Sequence, residues 1–171
     1  MPEHRLFFVP LTEDDLQHIE TFDCGDDEMN SFIRQECYDE QTCNLNATYL
    51  MYQGGDLVAF CSICADRLIL GNDERDDAEL PRAVVPAIKI ARLGRAVAFR
   101  NAGIGTMMLK AVHRKLLDLA PQIGARYITL DAYPNRVPYY ESLGFIKNSN
   151  QGKNRPTISM RKDIYEPFNE Q

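Results

Sequence analysis

One α/β domain of the α+β kind, with elements in the order β-α-α-β-β-β-α-β-α-β-β, is the fold this sequence predicts. Three observations carry it. At 171 residues the chain is long enough for one full core, and no linker-like stretch or internal repeat divides residues 1–171. Short apolar, β-like runs alternate with stretches of helical period. Between two of them, at Arg100-Asn101-Ala102-Gly103-Ile104-Gly105, a glycine-containing turn leads from the apolar run Val84 to Leu93 straight into a helical pattern.

The elements follow in order. Leu6-Phe7-Phe8-Val9 predicts a first strand, closed by Pro10. Thr12, followed by Glu13, Asp14 and Asp15, predicts a helix start, a hydroxyl cap with acids in the first turn, running through Leu16, Ile19 and Glu20. Phe22-Asp23-Cys24-Gly25 breaks it, and Asp26 or Asp27 caps a second helix through Met29, Phe32, Ile33 and Tyr38. Ala47 to Tyr52 and Leu57 to Ala65 are strands, joined by the hairpin signal Gln53-Gly54-Gly55-Asp56. Asp66 to Arg82 is polar, acidic and poor in apolar residues, a long solvated loop inside the next hairpin, with a lid over an amine site as the alternative. Pro86 to Gly94 is the strand that feeds the glycine turn. Ile104, Met107, Met108, Ala111, Val112, Leu116 and Leu119 then mark a long helix ending near Ala120-Pro121. Arg126 to Ala132 is the next strand, and Asn135-Arg136-Val137-Pro138 opens a short helix, Tyr139 to Leu143, that ends at Gly144. Phe145-Ile146 and Thr157-Ile158-Ser159-Met160 are the last two strands.

Composition excludes several classes. Apolar residues make up 44% and charged residues 26%, ordinary for a soluble protein. No apolar run approaches the twenty or so residues of a membrane span, and the acidic start Pro2-Glu3-His4 lacks a signal-peptide core, so the expected location is the cytoplasm, without a membrane partner. The cysteines are Cys24, Cys37, Cys43, Cys61 and Cys64. Cys61-Ser62-Ile63-Cys64 lies in a strand-like run, where residues three apart face opposite ways, so the pair cannot share a metal. No second pair and no His-x-x-x-His accompanies it, and no metal is expected. An odd count of buried-looking thiols suits a reducing compartment.

The net charge of −6 hides an asymmetry: residues 1–85 carry 19 acids against 5 bases, residues 86–171 carry 6 against 14, so the halves stand at −14 and +8. Solvated faces account for any single charge. The division as a whole suits a polyphosphate on the basic half, which holds the glycine turn, and a cationic acceptor on the acidic half.

Glycine takes backbone angles closed to other residues, and the first amides of a helix lack internal acceptors, so the turn at 100–105 is a natural anion site. It is not a Walker loop, because no Gly-Lys-Ser/Thr follows, nor the dinucleotide fingerprint, because Met108 stands where the third glycine belongs. A plain tight turn is the competing reading.

Arg-x-x-Gly-x-Gly after a strand resembles the pyrophosphate loop of the GNAT superfamily of N-acetyltransferases, and the element order is similar to that fold over nearly the whole chain. Ile90-Ala91-Arg92-Leu93-Gly94 resembles the family's fourth strand, and Tyr139-Tyr140-Glu141-Ser142-Leu143-Gly144-Phe145 its aromatic-Tyr-Glu-x-x-Gly-Phe signature. The resemblance implies a mixed, mostly antiparallel sheet flanked by helices, with acetyl-CoA as cosubstrate. Phe22-Asp23-Cys24-Gly25, Met29-Asn30-Ser31-Phe32 and Thr48-Tyr49 further resemble the N-terminal half of toxin-type acetyltransferases, which belong to bacterial toxin–antitoxin pairs and acetylate the amino acid on charged tRNA. One departure stands out: where family members often carry Val-Asp-x-x-Tyr/Phe, this chain has Arg95-Ala96-Val97-Ala98-Phe99, without the acid. A pI near 5.1 also sets it apart from a typical nucleic-acid binder.

Acetyl transfer to an amine has fixed requirements. The amine must lose a proton before it attacks the thioester, the developing oxyanion needs N–H donors, and the departing thiolate needs a proton. The resemblance assigns the oxyanion donors to the fourth strand at Leu93, Gly94 and Arg95. It assigns the pyrophosphate to Arg100, against a reading of that residue as a surface charge, to the amides of Asn101, Ala102, Gly103, Ile104 and Gly105, and to the Thr106 hydroxyl. Tyr140 is the expected proton donor to the thiolate, against a reading as a packing residue, with Tyr139 its packing partner. Asn135 contacts the pantetheine arm or caps the short helix. No general base stands out. Asp66 and Asp131 are strand-end candidates; His4 and His18 lie at the N-terminal edge, and His113 on the polar face of the long helix.

The expected activity is acetyl-CoA-dependent N-acetyl transfer to a primary amine on a small molecule, a peptide or charged tRNA. The alternatives are a toxin acetylating aminoacyl-tRNA, with an antitoxin as partner, and a non-catalytic acyl-CoA-binding module. A homodimer through an edge strand or a helix is compatible with the chain, and no residue in it marks one.

Overall fold

A computed structural model describes residues 5–169, so the start read at Pro2, Glu3 and His4 lies outside the described residues. Strand β1 (Leu6–Pro10) pairs antiparallel with β2 (Ala47–Gln53), Phe8 opposite Met51. β2 pairs antiparallel with β3 (Asp56–Ile69) through a two-residue turn whose glycines, Gly54 (φ 58°) and Gly55 (φ 91°), both take left-handed backbone. That pair of angles matches the twist of the flanking strands.

Between β1 and β2 lies the helical segment. Thr12 donates from its backbone and its hydroxyl to Asp15 Oδ2 at 2.8 and 2.9 Å, fixing a 3-10 turn at Glu13–Asp15 that runs into α1 (Leu16–Ile19). Of the two cap candidates it is Asp26 that acts, accepting from Met29 N at 3.0 Å. α2 (Asp27–Ser31), a wide π-helical turn at Phe32–Glu36 and α3 (Cys37–Thr42) then follow without a break.

β4 (Val84–Arg95) precedes α5 (Ile104–Ile123), β5 (Tyr127–Ala132), α6 (Val137–Ser142), β6 (Ile146–Lys147) and β7 (Ile158–Asp163). The seven strands stand in the order β1-β2-β3-β4-β5-β7-β6. β4 and β5 are parallel, and β5–β7 and β6–β7 antiparallel, which is the mixed, mostly antiparallel sheet expected. The β4–β5 ladder holds three pairs, Ala87 to Lys89 against Tyr127 to Thr129, and β4 continues six residues past it.

Two expectations change. Asp66 to Ile69 extend β3, and α4 (Asn72–Asp77) forms inside the stretch read as a loop; Leu70 N donates to Ala83 O at 2.9 Å to close the excursion. The long helix passes Pro121 and ends at Gly124 (φ 71°), where Gly124 N and Ala125 N both donate to Ala120 O at 2.9 and 3.1 Å. In the last turn proline forfeits one hydrogen bond and breaks nothing further on.

The chain divides into two compact units, one taking residues to Cys64 with Ile90–Arg114, the other Ala65–Lys89 with Lys115 onward. The first has a core of Leu11, Ile19, Phe22, Phe32, Ile33, Cys37, Leu50, Phe60 and Ala96. The second buries Leu68, Leu70, Val85, Ala87 and Tyr127 together. Among the described residues no helix is long and apolar enough to cross a membrane.

Candidate active site

In the first unit the end of β4, the turn after it and the start of α5 form a continuous feature. Leu93 and Arg95 are half-buried and Gly94 is buried. A Cβ on Gly94 would lie 2.4 Å from the Phe60 ring, itself fully buried with its centroid 5.5 Å from that of Phe22. Glycine is therefore required there by packing. Arg95 Nη1 is buried with no hydrogen-bond partner among the described residues. Such an orphan is costly and calls for an acceptor that the described residues do not provide.

Ala96, at the position where the resemblance leads one to expect an acid, is buried in the apolar cluster with its N–H donating to Val58 O at 2.8 Å. A carboxylate would be stranded in that setting. Val97–Phe99 is a 3-10 turn whose first N–H donates to Asp23 O at 2.9 Å. Arg100, Asn101, Ala102 and Gly103 are exposed.

The turn is made by Asn101 (φ 62°) and Gly103 (φ 71°), and Gly105 is the second residue of α5. The expected pair of special glycines is thus an asparagine and one glycine. Asparagine tolerates left-handed backbone better than other residues with a Cβ, which is why the spacing of glycines alone misplaces the bend. Gly103 O accepts from Met107 N at 3.1 Å, Ile104 is buried as the anchor, and Thr106 sits in the first turn. The amides of Ile104 and Gly105 have no acceptor within the helix. With Arg95 and Arg100 close in sequence, the turn offers backbone N–H donors and positive charge to an anion.

In the second unit Asn135 is exposed in a 3-10 turn, Pro134–Arg136, and Tyr140 is half-buried on α6. Two prolines, Pro134 and Pro138, open these turns where a missing N–H costs nothing. Gly144 (φ 96°) closes α6, and Phe145 N donates back to Tyr140 O at 3.0 Å. The Tyr140 ring lies edge-on to Tyr139 at 5.2 Å and to the buried Phe145 at 5.7 Å. The signature thus braces one phenol between two aromatic rings.

The same unit contains a polar cavity of about 270 Å³, whose lining includes Asp66, Thr129, Asn148, Arg155 and Ser159. Asp66 Oδ2 accepts from the Thr129 hydroxyl at 2.6 Å, whereas Asp131 is paired with Lys89 at 2.6 Å and with Arg155 at 3.8 Å. The two candidate carboxylates therefore differ: Asp131 is held by two cations, Asp66 by a hydroxyl.

Gln151 builds the loop before β7, donating to Asn148 O and Ser159 O at 2.7 and 2.8 Å and accepting from Ser159 N at 2.8 Å. Glu74 of α4 accepts from Gly71 N, Ser149 N and Oγ, and Arg161 Nη1 at 2.7 to 3.1 Å. Lys89, Glu74, Gln151 and Arg161 were missed from sequence. The available signal was polar residues at alternate positions of strands, Thr129 with Asp131 and Ser159 with Arg161.

Histidines and cysteines contribute little. His18 is exposed beside Tyr52, while His113 is buried, not on the polar face expected for it. Burial pushes the thiols of Cys37 and Cys61 up to about 12, so neither is a nucleophile at neutral pH.

Residues 17–163 match the model of the acetyltransferase (GNAT) domain family. Among solved structures, a tyrosine-to-phenylalanine mutant of KacT is similar over 94% of this chain and 95% of its own, at 16% identity and a TM-score of 0.80. AtaT complexed with acetyl-methionyl-tRNAfMet matches over 91% and 94%, at 17% identity and 0.78. A mutant AtaT toxin bound to the C-terminus of the antitoxin AtaR and acetyl-CoA matches over 93% of both chains, at 16% identity and 0.76.

Proposed function

This chain belongs to the GNAT acetyltransferase family and is an N-acetyltransferase with acetyl-CoA as its cosubstrate; from that premise we propose that residues 1–171 act as one domain transferring acetyl directly to a primary amine. The observation that carries the reading is the turn between β4 and α5, with left-handed Asn101 and Gly103, exposed Arg100 and the buried orphan nitrogen of Arg95. Arg100, the amides of Asn101, Gly103, Ile104 and Gly105 and the Thr106 hydroxyl hold the pyrophosphate, whereas Ala102 N is turned inward to Phe99 O at 3.4 Å. Asn135 bonds the pantetheine arm. Bound acetyl-CoA supplies the activated acyl carbon. Amides of β4 at Leu93 to Arg95 stabilise the charge that develops on the carbonyl oxygen.

Tyr140 donates the proton that the leaving sulfur needs. Phenols titrate near 10 and thiols near 8.5, close enough for transfer in either direction. Asp66 is the better base candidate of the two, because Asp131 is committed to Lys89 and Arg155. The polar cavity beside Asp66 takes the acceptor.

A second reading is favoured by the likeness to KacT and AtaT: the acceptor is the amino acid on charged tRNA, and an antitoxin-type protein is the partner. The +8 half of the chain supports it, and the pI near 5.1 speaks against it.

Release of CoA thiol from acetyl-CoA, across polyamines, lysine peptides, free amino acids and charged tRNA, tests both. Release with charged tRNA alone selects the toxin reading, and growth arrest relieved by Tyr140→Phe accompanies it. Release with small amines or peptides selects the metabolic or protein acetyltransferase.

A further inference from the structure

The tetrapeptide Phe22-Asp23-Cys24-Gly25 does more than separate two helices. Asp23 Oδ1 accepts from Gly25 N at 2.8 Å and from Asn30 Nδ2 at 2.9 Å. Asn30 Oδ1 in turn accepts from Cys24 N at 2.9 Å and from the Cys24 thiol at 3.2 Å. One buried amide on α2 thus clamps the turn with both its ends. Phe22 O accepts from Arg34 Nε at 2.9 Å and from Nη2 at 2.5 Å, fixing the other end.

The clamped turn reaches outward to the residues that lead into the anion loop. Asp23 O accepts Val97 N at 2.9 Å, holding the first residue of the 3-10 turn before Arg100. Gly25 (φ 79°) is left-handed, and a Cβ there would stand 3.2 Å from Arg100 Nη2 and 3.3 Å from Val97 Cγ2. The Arg100 guanidinium therefore rests against the bare face of Gly25, and a side chain there would displace it by a few tenths of an ångström as well as straining a left-handed backbone.

We infer that Asp23, Gly25 and Asn30 are positioning residues for the cofactor loop: they set Val97 by its backbone and Arg100 by the bare face of Gly25. The inference rests on the reading of Arg100 to Thr106 as the pyrophosphate site. Its physical basis is preorganisation. A long arginine side chain loses rotamer freedom when it binds phosphate, and a surface that restrains it beforehand reduces that loss. The Arg100 charge and that of Arg34 also act on Asp23, after the hydrogen bonds from Asn30 and Gly25, to hold its carboxyl below the usual range.

Equilibrium binding of CoA and of S-acetylpantetheine, which lacks the pyrophosphate, tests this. In Gly25→Ala the affinity for CoA should fall about ten-fold, the scale of one charge-assisted hydrogen bond, with S-acetylpantetheine affinity unchanged. Gly25→Asn keeps a residue that tolerates left-handed backbone while still placing a side chain against Arg100, and should show the same selective loss if the alanine variant folds poorly. In an Arg100→Ala background, either substitution should add little. Equal loss for both ligands in the Gly25 variants, or an undiminished further loss without Arg100, overturns the positioning role. If Arg100→Ala itself weakens both ligands equally, the loop reading fails and the positioning role with it.

Discussion

At Gly94 a single hydrogen atom decides the packing. A Cβ there would approach a Phe60 ring carbon to 2.4 Å, and that ring is fully buried against Phe22 and Phe32. Gly94→Ala should cost about 1–3 kcal/mol, the range for overpacking a well-filled core, read as a lowered denaturation midpoint. Adding Phe60→Leu should recover part of the loss; two costs that simply add would remove the explanation. Sequence reading placed Gly94 in a cofactor motif, and its packing role was invisible because Phe60 is a strand away. The aromatic surroundings of Tyr140 were legible for the opposite reason, since Tyr139 and Phe145 are one and five residues away along the chain. There Tyr140→Phe should lower kcat by about a hundred-fold or more, as for loss of a general acid, with acetyl-CoA affinity retained. A fall in affinity with kcat intact would make the phenol a binding group.

Local pattern succeeds for elements that carry an apolar stripe, as in α5, and fails for α4, which has none. Asn72–Asp77 is held by Glu74, whose partners Ser149 and Arg161 lie 75 and 87 residues along the chain. No window of sequence contains both ends of that contact. The arrangement has a pH signature. Burial alone would raise the Glu74 carboxyl, but the Gly71 N–H, Ser149 and the Arg161 guanidinium outweigh it and hold the carboxyl below its usual 4.5. A carboxylate depressed in the folded state stabilises fully above its unfolded pKa, and that contribution is lost as pH falls through the folded value. The amides of α4 should therefore lose protection, measured against their intrinsic exchange rates, below about pH 4.5 while the core of the second unit stays protected. Glu74→Gln should loosen α4 at pH 7 by about 3 kcal/mol, since it leaves the Arg161 charge buried without its partner, and should flatten the acid response. If wild type and Glu74→Gln exchange alike at both pH values, Glu74 is not what holds α4.

For the molecule as a whole, order along the chain was readable and order across the sheet was not. β7 stands between β5 and β6, a placement that depends on contacts formed only after the chain has folded back. The charge division belongs to the same scale: −14 and +8 by halves, in a chain of net −6. In space the halves mix, because Asp66 pairs with Thr129 and Glu74 with Arg161, and Arg155 lines the cavity with Asp66. The cavity is therefore lined by charges of both signs, Asp66 from the first half and Arg155 from the second. What the acceptor carries can be read from salt. A charged tRNA held by about three phosphate contacts would lose them by counterion release, and kcat/KM should fall roughly ten-fold or more between 50 and 200 mM salt. A small amine with one charge exchanges far fewer ions, and its kcat/KM should change by about two-fold at most over the same range. The comparison is internal, because acetyl-CoA and its loop are common to both reactions, so the ratio of the two slopes isolates the acceptor. A steep slope with tRNA beside a shallow one with amines would mean that the basic residues of the second half meet nucleic acid. Equal shallow slopes would confine recognition to the amine and its immediate surroundings, and the toxin reading would then have no electrostatic footing on this chain.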